Sequence, residues 1–350
     1  MNDLAALPSH DDLDGVRPPA LVPVLRGRAA AWNELTSAFG SGRMHHAWLL
    51  QGPRGVGKAS TAFAFARYAL GGSDALALGS SNDAVSFRMD LPVSRQVAQG
   101  SHPRFFHLAR PANDRGEGFK TQITVDEVRK LNQFFQSTAG EGWRIALVDP
   151  ADDMNRNAAN ALLKTLEEPP ERSLFLIVNH TPGALLPTIR SRCRVLRFEP
   201  LAEGALNQIV ADELPGVSQG DRHEAVRAAG GRAREAFLIL TSGGLEIEAQ
   251  AERLYRGDNA EWPTVHACAD ALVQRGREAA WALFRDALLG RIAEDAKRFL
   301  HAGDLVRAER FASFFEEETA RWRDAAAFNL DRKQTILTFF QKLEAIRKGS

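Results

Sequence analysis

The chain has 350 residues, with 44 basic against 44 acidic side chains and 44% hydrophobic residues. That length exceeds one ordinary core, so two or three domains are expected, and the balanced charge excludes a global field that would recruit nucleic acid or an acidic membrane. Two cysteines, Cys193 and Cys268, fit a reduced compartment and exclude a four-cysteine metal site built from this chain.

Residues 1–20 are polar and acidic, carry Pro8, Pro18 and Pro19, and read as a loose lead-in unlike a signal peptide. No apolar run approaches ~18 residues, so a soluble, cytoplasmic protein without membrane contact is expected. Trp32, Leu35 and Phe39 recur at helical spacing in 28–39, and Gly40-Ser41-Gly42 ends that helix. Residues 46–51 form an apolar strand, and 58–70 form a helix with an apolar stripe. Residues 71–103 are rich in Gly, Ser and Asp without a clear period, and read as a loop or an eroded insertion. A short extended piece at 105–108 precedes a helix over 125–135, N-capped near Thr124. Apolar strands follow at 143–148, 173–179 and 194–198, the first two separated by a helix over 157–166 that Pro169-Pro170 breaks.

Strands alternating with helices after a glycine turn predict an α/β domain with a parallel sheet over 21–198, its ligands at the carboxyl ends of the strands. From residue 199 the pattern is helical, and we divide it into a small domain at 199–245 and an all-α segment at 246–350. The late aromatics Phe311, Phe314, Phe315, Trp322, Phe328, Phe339 and Phe340 recur at helical spacing with few basic residues between them. They read as a helical core or a subunit interface rather than a base-stacking surface.

The chemistry centres on GPRGVGK, residues 52–58, between strand and helix. This G-x-x-x-x-G-K spacing cradles phosphates with backbone N–H groups at a helix N-terminus, with Gly52, Gly55 and Gly57 shaping the loop and Lys58 reaching the phosphates. Lysine occupies only 8 positions in a chain whose basic residues are mostly Arg, which weighs against accident. The next residue should carry a hydroxyl for Mg²⁺, but it is Ala59. Ser60 lies about 100° further around the helix and is a poor substitute, equally an ordinary first-turn residue. Asp149 ends an apolar strand, where P-loop enzymes hold Mg²⁺ through an acid. The second acid, which would prepare the attacking water, is replaced by Pro150, so hydrolysis in cis is expected to be close to absent. Asp152 and Asp153 read as a helix cap and acidic first turn. Arg192 is either a satisfied surface arginine or a finger reaching a neighbour's phosphate. Arg234, at the start of a helix in the small domain, is by itself equally a solvated helix residue.

Together GRMHHAWLLQGPRGVGKA (42–59), HPRFFHL (102–108), ITVDEVRKL (123–131), NAANALLKTLEEPP (157–170) and LLPTIRSRCRVLRF (185–198) resemble the AAA+ clamp-loader family over roughly the first 240 residues. The resemblance implies an AAA+ P-loop domain, a small helical lid and an all-α collar that joins a five-subunit ring. Such a ring opens a sliding clamp and places it on primed DNA. Carried residue by residue, it places Gly52, Gly55, Gly57 and Lys58 on the phosphate loop and Asp149 on the Mg²⁺-side acid. It sets Asn179 near the sensor of the third strand, Arg192 on the finger that completes a neighbouring subunit's ATP site, and Arg234 on the small-domain sensor. Ala59 and Pro150 depart from active members. They favour a non-hydrolysing subunit with ATP or ADP at a degenerate site and Mg²⁺ weak or absent. The zinc module frequent in the family has no cysteines here, so no zinc is expected. Two alternatives stay open at this stage: an active motor-type subunit, and a stand-alone nucleotide-binding switch.

Overall fold

The computed structural model describes all residues except 1–5, 78–83, 114–117, 137–141, 184, 242, 258–261, 275–276, 328–329 and 349–350. Phe328 falls outside the described residues. The chain divides into two compact units, Met1–Phe237 and Leu238–Ser350.

The first unit contains, in order, β1 (Val24–Arg26), α1 (Ala29–Gly40), β2 (Ala47–Gln51), α2 (Lys58–Gly71), β3 (Ala84–Ser86), α3 (Pro92–Ala98), β4 (Phe105–Leu108), α4 (Val125–Gln136), β5 (Arg144–Val148), α5 (Arg156–Glu167), β6 (Ser173–Asn179), α6 (Pro187–Arg190), β7 (Arg194–Arg197), α7 (Glu203–Glu213), α8 (Gln219–Ala228) and the start of α9 (Ala233–Thr241). Five strands form a parallel sheet in the order β4-β5-β6-β2-β7. Both faces are covered, and the alternation along each strand divides the core. Trp48, Leu50, Ile145, Leu147 and Leu176 pack into one layer, and Ala47, Leu49, Ala146, Val148 and Ile177 into the other. This is why the strands read as unbroken apolar runs. One strand, β6, separates β2 from β5. The phosphate loop and Asp149 therefore leave the same sheet edge about 10 Å apart, two strand spacings of ~4.8 Å.

Two sequence readings need correction. The stretch 71–103 is not featureless: β3 pairs antiparallel with β1, and α3 packs behind α2. Both strands are three residues long, too short to carry a period. The lead-in is not loose over its described part. Pro19–Leu21 forms a 3-10 turn with Ala20 buried, and the Leu7 amide donates to Ala98 O. The staple is Arg67 on α2, fully buried, whose guanidinium donates to Ala20 O at 2.7 Å and Val22 O at 3.0 Å and lies over the Phe87 ring.

The second unit holds the rest of α9, then α10 (Gly244–Arg256), α11 (Trp262–Leu272), α12 (Glu278–His301), α13 (Leu305–Ala327) and α14 (Arg332–Lys348). No strand occurs among its described residues. Phe311, Phe314, Trp322, Phe339 and Phe340 are buried, with Trp281 and Trp322 ring centroids 5.1 Å apart, so these aromatics form a helical core. Within it Glu318 is fully buried and accepts from Trp322 Nε1 at 3.1 Å and from the Arg321 guanidinium, which satisfies a charge that could not stand alone there.

Arg67→Ala removes both donors and leaves two carbonyls unsatisfied beneath the lead-in. It should destabilise the first unit by about 2–4 kcal/mol, read by urea denaturation against the parent chain.

Candidate phosphate-binding site

The loop begins where β2 stops. Gly52 sits so close to β7 that a side chain there would meet Phe198 O at 2.2 Å. Gly57 is the N-cap of α2 in the left-handed region, φ 88°, and no side chain caps the helix. The first amides of α2 are thus left to an external anion. Gly55 backs onto α9: its carbonyl accepts from the Ala233 amide at 2.8 Å, and a β-carbon on it would stand 2.8 Å from that of Arg234. That contact presses the start of α9 against the loop and fixes where Arg234 emerges.

These elements enclose a cavity of about 390 Å³, lined by Gly55, Gly57, Lys58, Ala59, Ser60, Asp149 and Arg234 together with Arg28, Arg54, His107 and His180. Lys58 is 2% exposed and folds onto its own loop, donating to Gly52 O at 2.6 Å and Pro53 O at 2.5 Å. Burial pulls its ammonium down to about 8, opposed by Asp149 and Asp152. Burial likewise pushes the Asp149 carboxyl up to about 6, against the pull of Lys58. His107 Nε2 lies 3.9 Å from Asp149 Oδ2.

The predicted residues do not all converge. Gly55, Gly57, Lys58, Ser60, Asp149 and Arg234 line one cavity; Gly52, Asn179 and Arg192 are not among its lining residues. Gly52 shapes the start of the loop. Asn179 is fully buried and saturated by the chain, accepting from Gln51 at 3.0 Å and donating to Asp152 at 3.2 Å and to Thr181 O at 3.1 Å. The residue that lines the cavity from this strand end is its neighbour His180, whose two ring nitrogens meet no partner among the described residues and which burial keeps neutral. Arg192 stands at the end of α6, its side chain 37% exposed, ion-paired to Glu167 at 2.6 Å and donating to Thr188 O.

Sequence reading missed several participants. Asp152 is not a helix cap; the cap of α5 is Asn155, accepting from the Ala158 amide. Asp152 instead accepts from the amides of His180 and Thr181, both at 2.8 Å, and so holds the turn after β6. Asp153 pairs with Arg110 and with His10 at 3.3 Å. Asp11, from the lead-in, reaches the loop: its carboxylate accepts from Arg54 Nε at 3.2 Å, and its carbonyl accepts from Arg234. Such contacts, between residues 28 to 223 positions apart, leave no local pattern.

A parallel sheet in this order, with a glycine loop of the G-x-x-x-x-G-K kind running from β2 into the start of α2, defines a P-loop α/β domain. Residues 27–202, half of the chain, match the family described as "DNA polymerase III, delta subunit", and the chain belongs to that family. It is 36% identical over 223 residues to the DNA polymerase III subunit delta' of Pseudomonas aeruginosa, covering 63% of this chain and 62% of that protein. It is 32% identical over 173 residues to the delta' subunit of Escherichia coli, covering 49% of this chain and 48% of that one. The gamma/tau subunit of Mycobacterium tuberculosis is 31% identical over 231 residues, 64% of this chain and 37% of the relative. The chain thus spans less than two thirds of the length of each of these relatives.

The raised Asp149 pKa carries a stability signature. The folded state retains its proton to about pH 6, whereas an unfolded carboxyl loses it near 4, so this group's contribution falls as pH rises through that window. Asp149→Asn should raise unfolding free energy at pH 7.5 by about 1–3 kcal/mol, and the gain should vanish below about pH 4 in urea titrations run across pH.

Proposed function

We propose that this chain is a non-hydrolysing clamp-loader subunit of the delta' kind, which supplies Arg192 in trans to the ATP site of a neighbouring subunit. One observation carries the reading: Arg192 is partly exposed and held by Glu167 and Thr188 O, off the chain's own cavity, while that cavity presents Ala59 and is followed at Asp149 by Pro150. A planar guanidinium at a surface is suited to the phosphates of a second protein's nucleotide, since it forks two N–H groups toward anionic oxygen and stays charged at every working pH.

The site of this chain binds rather than turns over. The open amides of α2 and the surrounding cations suit the phosphates of ATP or ADP. Pro150 has no side-chain group to accept a proton or to orient a water, and an isolated loss of that kind costs about 10²–10⁴ in rate. Asn179 belongs to the support of the sensor turn, and Arg234 to the lid side of the cavity. Residues 199–245 serve as the lid and 246–350 as the collar. The partners are gamma/tau and delta subunits in a five-membered ring. Through that ring the chain contributes to loading a sliding clamp on primed DNA in the cytoplasm. Among the described residues no helix is long and apolar enough to cross a membrane.

Two measurements test the reading. Arg192→Ala, assembled with gamma/tau and delta partners, should lower turnover at the site it serves by about 10³-fold, seen as reduced DNA-stimulated ATPase with the ring intact on size-exclusion chromatography. Unchanged ATPase would remove Arg192 from the mechanism. The purified chain alone should show negligible ATP hydrolysis; turnover that Lys58→Ala abolishes would make it a motor subunit instead.

A further inference from the structure

The cations around the cavity are unequally provided for. Lys58 is taken up by two carbonyls of its own loop, and Arg54 and Arg234 share Asp11. Arg28 is different. It is 9% exposed and lines the same cavity, yet its Nε and Nη2 meet no hydrogen-bond partner among the described residues. Its guanidinium lies 5.6 Å from the centroid of the Phe198 ring, and Glu199 attracts it through space. Neither contact satisfies the N–H groups on these two nitrogens, and a buried guanidinium left so is costly until an anion arrives. The position is informative. A β-carbon built on Gly57 would stand 3.7 Å from Arg28 Nε, so the unsatisfied fork lies beside the cap of α2, where the helix amides also await an anion.

The divalent cation that this class of site ordinarily holds does not fit here. Ala59 lines the cavity with a methyl group where a hydroxyl would be the ligand. Asp149 feels the cations Lys58 and Arg54 as well as the acids Asp152 and Asp153, and a buried guanidinium in the same cavity, with two nitrogens unsatisfied, repels a second positive charge.

We propose that Arg28 is a phosphate-binding residue of this site and supplies the charge compensation that a metal ion would otherwise give, so that the chain binds polyphosphate without a metal. The proposal rests on the phosphate-loop reading above and is independent of Arg192. Arginine suits the task because its fork meets phosphate oxygens in bidentate fashion and cannot be lost to chelation.

The test uses the full chain with two probes, ADP and inorganic tripolyphosphate, titrated by calorimetry in excess EDTA and again in millimolar Mg²⁺. Wild-type affinity should differ less than about threefold between the two conditions. Arg28→Gln should weaken both probes about tenfold or more, the worth of a charge-assisted hydrogen bond, and Arg28→Lys should recover part of the loss. A wild-type affinity that falls tenfold in EDTA overturns the proposal, as does an unchanged affinity in a folded Arg28→Gln chain or the absence of binding by either probe. Should Arg28→Gln fail to fold, the wild-type metal comparison decides alone. Because the finger is scored separately by Arg192 in the assembled ring, failure of either idea is distinguishable from failure of the other.

Discussion

Cationic side chains ring a single cavity at the carboxyl edge of the sheet, and two of them, Arg28 and Lys58, are buried. Removing such charges from water costs several kcal/mol each unless anions or hydrogen bonds replace the lost hydration. Much of the first unit can be understood as the response to that constraint. Lys58 turns onto loop carbonyls, Asp149 closes β5 opposite the loop, and the lead-in brings Asp11 across the top to Arg54 and Arg234. The lead-in can do so because Arg67 fixes its far end to α2.

The same constraint separates binding from catalysis. The features that attract phosphate come from backbone and cations: open helix amides, glycine φ values and arginines. The features that activate water come from an acid pair and a metal-ligating hydroxyl, and this chain holds Pro150 and Ala59 in their places. Residue 150 is therefore a proline beside Asp149, and residue 59 a methyl group beside Lys58. The turn after β6 shows a comparable division, since Asp152 consumes the amides and the Asn179 amide group for support and leaves His180 at the cavity wall.

Legibility in the sequence followed the range of the interactions. The strand, loop and helix around GPRGVGK lie within 26 consecutive positions, 46–71, and could be read directly, as could β5, β6 and the all-helical character, though not the separate helices, of the second unit. The β1–β3 pair could not, because two three-residue strands 60 positions apart carry no period. Asp152 and Asp153 do lie in an acidic first turn, that of the 3-10 helix Ala151–Asp153, but neither caps α5; Asn155 does, which leaves both acids for partners elsewhere. Arg28 and Asp11 gave no signal at all, each being an ordinary polar residue until the fold sets it against the loop.

By itself the sequence determined the kind of domain, the position of the glycine loop and the presence of Ala59 and Pro150 beside it, because these depend on residue types at short spacing. Tertiary structure decided which candidates share a cavity. It brought Gly55, Lys58, Asp149 and Arg234 together, set Asn179 behind the wall and left Arg192 on another face. The physical reason is the parallel sheet: strands far apart in the chain end at one edge, and only their lateral order fixes which side chains meet there.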